Sequence, residues 1–182
     1  LQFFTDLITS CSDLMLKIIH NSKPVIAEVN GIATAAGCQL VASCDLAYAS
    51  QVSKFATPGV NIGLFCSTPM VALSRVVKNK HSMEMLLTGD FIDADKAKSI
   101  GLINNYFSED ELFNKTREMA IKIKNKSSQT VKIGKKAFYN QTEMTISDAY
   151  KYASEIMIEN MMNQDSEEGI AAFLEKRTPN WP

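Results

Sequence analysis

The chain has 182 residues, 46% hydrophobic and 21% charged, with a formal net charge of −1. That suits one globular domain with its own core and argues against a nucleic-acid or anionic-membrane surface. No apolar run reaches the roughly 20 residues of a membrane span, and four cysteines without a C-x-x-C pair, beside only His20 and His81, predict free thiols in a reducing compartment and no metal site.

In chain order, residues 2–20 space Phe3, Phe4, Leu7, Ile8, Leu14, Ile18 and Ile19 as one face of an amphipathic helix. Leu1 opens it in mid-helix, which predicts a further section on its N-terminal side, and Ser22-Lys23-Pro24 ends it. Val25–Val29 reads as an apolar strand, followed by an Asn30-Gly31 turn, the small residues Ala33 to Gly37 and a short helix. Strands follow at 45–49 and 54–57, the second closed by Pro58-Gly59. After a loop over 61–67, Thr68 reads as N-cap and Pro69 as first residue of a helix to about Val77. Short helices follow over 81–88, stopped at Gly89, and from the Asp93 cap to Ser99, stopped at Gly101. Leu102–Phe107 is the last strand expected, and Ser108-x-x-Glu111 is a capping box opening a helix to about Lys124. From Ser127 onward only helices are expected. Ile146, Ala149, Tyr150, Ala153, Met157, Asn160 and Met161 form a stripe that fits core packing or a subunit interface. The last helix carries Ile170, Phe173 and Leu174. Two sections follow: a mixed core over residues 1–126 and a helical section over 127–182.

The stretch KPVIAEVNGIATAAGCQLVASCDLAYAS (23–50) joins a strand, a small-residue turn and a helix start. Such a turn lets backbone N–H groups approach an anionic or polarised ligand. Together with the F-x-x-P turn at 55–58, MLLTGD (85–90), A-x-x-x-G-L (97–102) and AAFLEKR (171–177), it resembles the enoyl-CoA hydratase/isomerase (crotonase) superfamily. Through TAAGCQLVASCDLA (34–47) and FATPGVNIGLFCSTP (55–69) it is similar to the enoyl-CoA hydratase domain-containing protein 3 subgroup. The resemblance implies an α/β fold, a crotonase-like spiral of ββα units with its N-terminal part missing. It also implies a C-terminal helical trimerisation section, an acyl-CoA ligand without further cofactor, and a trimer or hexamer at full length. Bacterial cytoplasm or mitochondrial matrix would house it.

By the same resemblance, Ala36 supplies one backbone N–H of an oxyanion hole, while Ala33 and Gly37 let the acyl group approach closely. The family's two catalytic glutamates match Gln39 and Gly59. Gln39 can donate and accept hydrogen bonds but exchanges no proton near neutral pH, and Gly59 has no side chain, so hydration is expected to be weak or lost. Restoring both carboxylates is expected to restore some of it. Cys66 and Ser67 lie near where the acyl tail would pass. A nucleophilic Cys66 would want a base, and free cysteines are most often packing. Lys176 and Arg177 match basic residues that contact CoA phosphates. Two alternatives stay open: an enzyme that needs only the oxyanion hole, such as a decarboxylase of malonyl-type CoA thioesters, and a non-catalytic acyl-CoA-binding or assembly subunit.

Overall fold

The computed structural model describes residues 1–181. Its chain divides into two compact units, one of 1–21 with 25–119 and one of 22–24 with the residues from 120 on.

In the first unit, helix α1 (Gln2–His20) precedes two small sheets. One sheet runs β1–β3–β6, from β1 (Ile26–Val29), β3 (Leu46–Ser50) and β6 (Asn105–Phe107), all parallel. The other runs β2–β4–β5, with β2 (Ile32–Thr34) parallel to β4 (Lys54–Ala56) and β4 antiparallel to β5 (Ile92–Asp93). The chain therefore steps from the first sheet to the second twice, at Asn30-Gly31 and at Gln51-Ser53. One buried hydroxyl ties both steps. Ser53 Oγ donates to Val29 O (2.9 Å), accepts from Gly31 N–H (3.2 Å) and meets Ser50 Oγ at 2.9 Å. Gly31 holds φ +120°, which explains a glycine there.

Helices α2 (Ala36–Ser43), α3 (Ser67–Val76), α4 (Asn79–Thr88) and α5 (Ala94–Ser99) surround these strands. Between them they bury Ala27, Ala33, Cys38, Ala47, Ala49, Phe55, Leu73, Leu86 and Ala97. The alanines on β1, β2 and β3 keep the layers close and leave Phe55 as the largest wholly buried side chain. The second unit is helical, from α7 (Ser128–Gln141), α8 (Ile146–Met161) and α9 (Gln164–Leu174), while α6 (Glu109–Lys124) spans the division. Among the described residues α7 and α8 contain no buried position, so the stripe on α8 is solvent-facing rather than core.

Several expected elements shift. Residues 32–34 form a strand, not a turn, because Ile32 and Ala33 pair with Lys54 and Phe55. A 3-10 turn covers Pro58–Ile62 and a two-residue strand lies at Ile92–Asp93. The last strand begins at Asn105, since Gly101 (φ +86°) and the bonds of Leu102 and Ile103 back to Ala97 belong to a turn. Helix α3 starts at Ser67 with Cys66 as its N-cap, and α4 starts at Asn79. The α1 stripe is mostly exposed, and the one buried residue of the helix, Met15, lies outside that stripe.

Candidate active site

Two turns meet at the carboxyl ends of adjacent parallel strands, the place where ligands collect in such sheets. The register Thr34↔Ala56 brings β2 and β4 to their ends together, and Ala35 N–H extends the ladder by donating to Ala56 O at 3.0 Å. The turn after β2 opens α2, and the turn after β4 is Thr57-Pro58-Gly59.

Ala35 adopts φ +46°, ψ −113°, a region that costs a residue with a Cβ of order 1–3 kcal/mol. The spacing of small residues gives no sign of this, because a glycine would be the ordinary choice. The strained turn starts the helix abruptly. The first bond of the α2 ladder is Gln39 N–H to Ala35 O, 3.0 Å, which leaves the N–H groups of Ala36, Gly37 and Cys38 outside it. Ala36 and Gly37 are exposed and line a cleft of about 810 Å³ between α1 and α2, with Asp6, Ser10, Cys11 and Leu14 on its other wall. A helix N-terminus with free amides on a cleft can polarise a carbonyl oxygen. Ala33, expected beside the ligand, is buried in β2 beneath the turn.

Gln39 is buried, and its Oε1 accepts from the Cys11 thiol at 3.7 Å. That contact ties the α2 side chain to the cleft wall on α1. Nothing in the spacing of Cys11 signalled it; only the packing of α1 on α2 shows it.

Gly59 sits apart from the cleft, in a closed loop. Its N–H donates to Cys66 Sγ (3.3 Å) and its carbonyl accepts from Leu64 N–H (2.9 Å). A Cβ on Gly59 would lie 2.5 Å from Leu64 O and 2.9 Å from Cys66 Sγ. The position cannot take a glutamate unless the backbone opens, so the expected rescue by restoring both carboxylates does not follow from this geometry. Cys66 is buried, with its sulfur committed to Gly59, and Ser67, exposed, donates to Phe65 O at 3.3 Å. The neighbouring Cys38 thiol is pushed up to about 12, by burial first and the proximity of Cys66 second.

Asp45 Oδ2 accepts from Val25 N–H at 2.6 Å, a structural bond at the strand start. Among the described residues no group of three or more His, Cys, Asp or Glu could hold a metal ion, and no helix is long and apolar enough to cross a membrane.

In the helical unit, Lys176 ends α9 in the left-handed region (φ +56°), with its N–H on Phe173 O and that of Arg177 on Ala172 O. This is the Schellman arrangement with lysine in place of glycine. Arg177 is held by carboxylates of its own chain: Nη1 and Nη2 reach Glu168 at 2.6 and 2.9 Å, and Nε reaches Glu175 at 2.5 Å. Both side chains are exposed, and Arg177 is the one that these carboxylates hold.

Comparison with known proteins supports the family. The chain is 49% identical over 180 residues to "Enoyl-CoA hydratase domain-containing protein 3, mitochondrial" of Xenopus laevis, covering 99% of this chain and 61% of that protein. The Homo sapiens protein of the same name is also 49% identical, with 59% of its length covered. The chain thus spans about three-fifths of the length of these curated relatives. The crystal structure of an enoyl-CoA hydratase from Mycobacterium smegmatis superimposes with a TM-score of 0.97 at 49% identity, over 99% of this chain and 70% of that one. The crystal structure of human enoyl-CoA hydratase domain-containing protein 3 gives 0.96 at 49% identity, over 99% and 71%. The spiral of short strands and helices is therefore the crotonase fold. The family model described as enoyl-CoA hydratase/isomerase matches residues 3–182, and the chain belongs to that family.

Proposed function

We propose that this chain is an acyl-CoA-binding member of the family that keeps the thioester-polarising turn and has lost the acid–base pair of hydration. The observation that carries this reading is the pair of family glutamate positions. One is an amide bonded to a thiol at Gln39, and the other is a glycine walled in by Leu64 O and Cys66 Sγ at Gly59. Ala36 and Gly37 supply backbone amides at the cleft, which need no particular side chain. The ligand is a CoA thioester, with no further cofactor, and fatty acid metabolism is the setting its relatives' names suggest. Lys176 is the proposed phosphate contact.

The helical section is proposed to close a homotrimer or hexamer. Ile146 (80% exposed) on α8 and Phe173 (81%) on α9 leave apolar surface that a partner copy would cover. The mitochondrial names belong to relatives; for this chain the matrix, or a bacterial cytoplasm, is the proposed location.

The test is turnover of crotonyl-CoA by the purified protein beside a competent relative. General acid and base groups contribute about 10² to 10⁴ each, so hydration should be slower by at least about 10³. Hydration within tenfold of the relative overturns the reading. Release of CO₂ from malonyl-type thioesters would select oxyanion-only chemistry, and thioester binding with no turnover would select an assembly subunit.

A further inference from the structure

The formal net charge of −1 hides a separation of charge along the chain. Between Glu118 and Glu143 stand six lysines, Lys122, Lys124, Lys126, Lys132, Lys135 and Lys136, with no aspartate, glutamate or arginine among them. All six fall in the helical unit, on the end of α6, its link to α7 and the middle of α7. Lys135 is held within that unit, its ammonium donating to Lys23 O at 3.2 Å and lying over the Tyr139 ring. The other five are exposed, and among the described residues none of them has an ion pair or a side-chain hydrogen bond. Asp165, bonded to Ser127 in the link, pairs with none of them. Lys122 and Lys124 suit the C-terminal end of a helix dipole. That reason does not reach Lys132 and Lys136, which stand one turn apart in the middle of α7, a helix with no acidic residue. Like charges at that spacing repel and weaken a helix, so folding gains nothing from the pair.

We propose that this lysine segment docks the protein on an anionic bilayer surface. Clusters of four to eight basic side chains on an amphipathic helix are suited to hold a chain against such a surface. The attraction acts within about 8–10 Å at ordinary ionic strength, so a local cluster decides it and the near-neutral charge of the whole chain does not. Lysine without arginine favours lipid over nucleic acid. The planar fork of arginine grips single phosphates and reads base edges, whereas the compact, strongly hydrated charge of lysine suits headgroups that exchange freely beneath it. Helix α7 keeps Val131, Ile133 and Ala137 half-buried, so it meets the headgroups through charge without giving up its own packing. Docking of this kind is peripheral and salt-sensitive, and it neither needs nor alters the acyl-CoA reading above.

The experiment is co-sedimentation of the whole chain with vesicles of phosphatidylcholine alone, and with vesicles in which phosphatidylglycerol makes up a third of the lipid. Binding is expected to the second and not to the first, and to be lost at high ionic strength. Each lysine near such a surface strengthens binding about fivefold, so Lys132→Glu with Lys136→Glu should weaken it at least about tenfold. Lys122→Gln with Lys126→Gln should weaken it in the same direction, and carries the test should the first pair lower the melting temperature read by circular dichroism. Lys78→Glu with Lys80→Glu, exposed on the other unit and equal in charge change to the first pair, should leave binding within twofold. Equal binding to both vesicles, binding to neither, or an equal loss in the Lys78 and Lys80 pair overturns the proposal. Tighter binding to a duplex DNA oligonucleotide than to the anionic vesicles also overturns it, and would assign the lysines to nucleic acid.

Discussion

Replacing Gly59 with alanine tests the sealed loop directly. Gly59 is not among the positive-φ glycines, so its backbone accepts a Cβ and the whole penalty is steric. The added methyl would meet Leu64 O at 2.5 Å and Cys66 Sγ at 2.9 Å, and the first of these is backbone, which cannot rotate away. Overpacking of this kind costs about 1–3 kcal/mol. Relief by moving Leu64 also stretches its 2.9 Å bond to Gly59 O, worth about 1 kcal/mol. Gly59→Ala should therefore lose about 2–4 kcal/mol by urea denaturation, and its thermal midpoint should fall by roughly 4–16 °C at about 2–4 °C per kcal/mol. Gly134→Ala is the control. A Cβ there meets nothing within 4 Å inside α7, so the change should be neutral or stabilise by about 0.5–1 kcal/mol. Gly59→Glu with Gln39→Glu should lower stability at least as much as Gly59→Ala without raising crotonyl-CoA hydration. A Gly59→Ala loss under about 0.5 kcal/mol would refute the reasoning, because the loop would then open freely.

Ser53→Ala removes the hydroxyl shared by Val29 O, Gly31 N–H and Ser50 Oγ, and should cost about 1–3 kcal/mol in chemical denaturation. The Arg177 guanidinium, and after it the Asn180 N–H, hold the Glu168 carboxyl at about 2. A depressed carboxylate stabilises above its unfolded value near 4.3 and loses that contribution as pH falls towards about 2. The acid transition of Trp181 fluorescence should therefore lie in that window, and Glu168→Gln should abolish that part of it; an unchanged transition would contradict the assignment. Cys38, raised to about 12, should resist alkylation in the folded protein, and stability should fall between about pH 9 and 12 as only the unfolded thiol ionises. Met157→Glu and Phe173→Glu should each lower the solution mass of an oligomer, as read by sedimentation; a wild-type monomer would remove the proposed interface.

The helices were legible where a side chain makes the cap. Asp93 accepts from Lys96 N–H at 2.8 Å, and Ser108 Oγ donates to Glu111 at 2.6 Å, as the spacing predicts. Where no side chain makes the cap, at Cys66 rather than Thr68, the expected start is displaced by two residues. Strands β2 and β5, of three and two residues, carry no periodicity of their own and exist because β4 pairs with them. In the candidate site, the small-residue turn was visible in Ala33 to Gly37. The strain at Ala35, the Cys11–Gln39 contact and the closure over Gly59 arise between segments distant in sequence or from backbone angles, which residue identity does not encode.

The ladder bond from Ala35 to Ala56 also bears on how such proteins diverge. It holds the amide-bearing turn through main-chain atoms, so the grip on a thioester proposed for this turn would pass unaltered through generations in which neighbouring side chains drift. The proton-handling half, made of side chains, has no such insurance. A lineage can therefore shed its original chemistry while still holding the same molecule, and that leaves room for a different reaction to take hold on an inherited binding place.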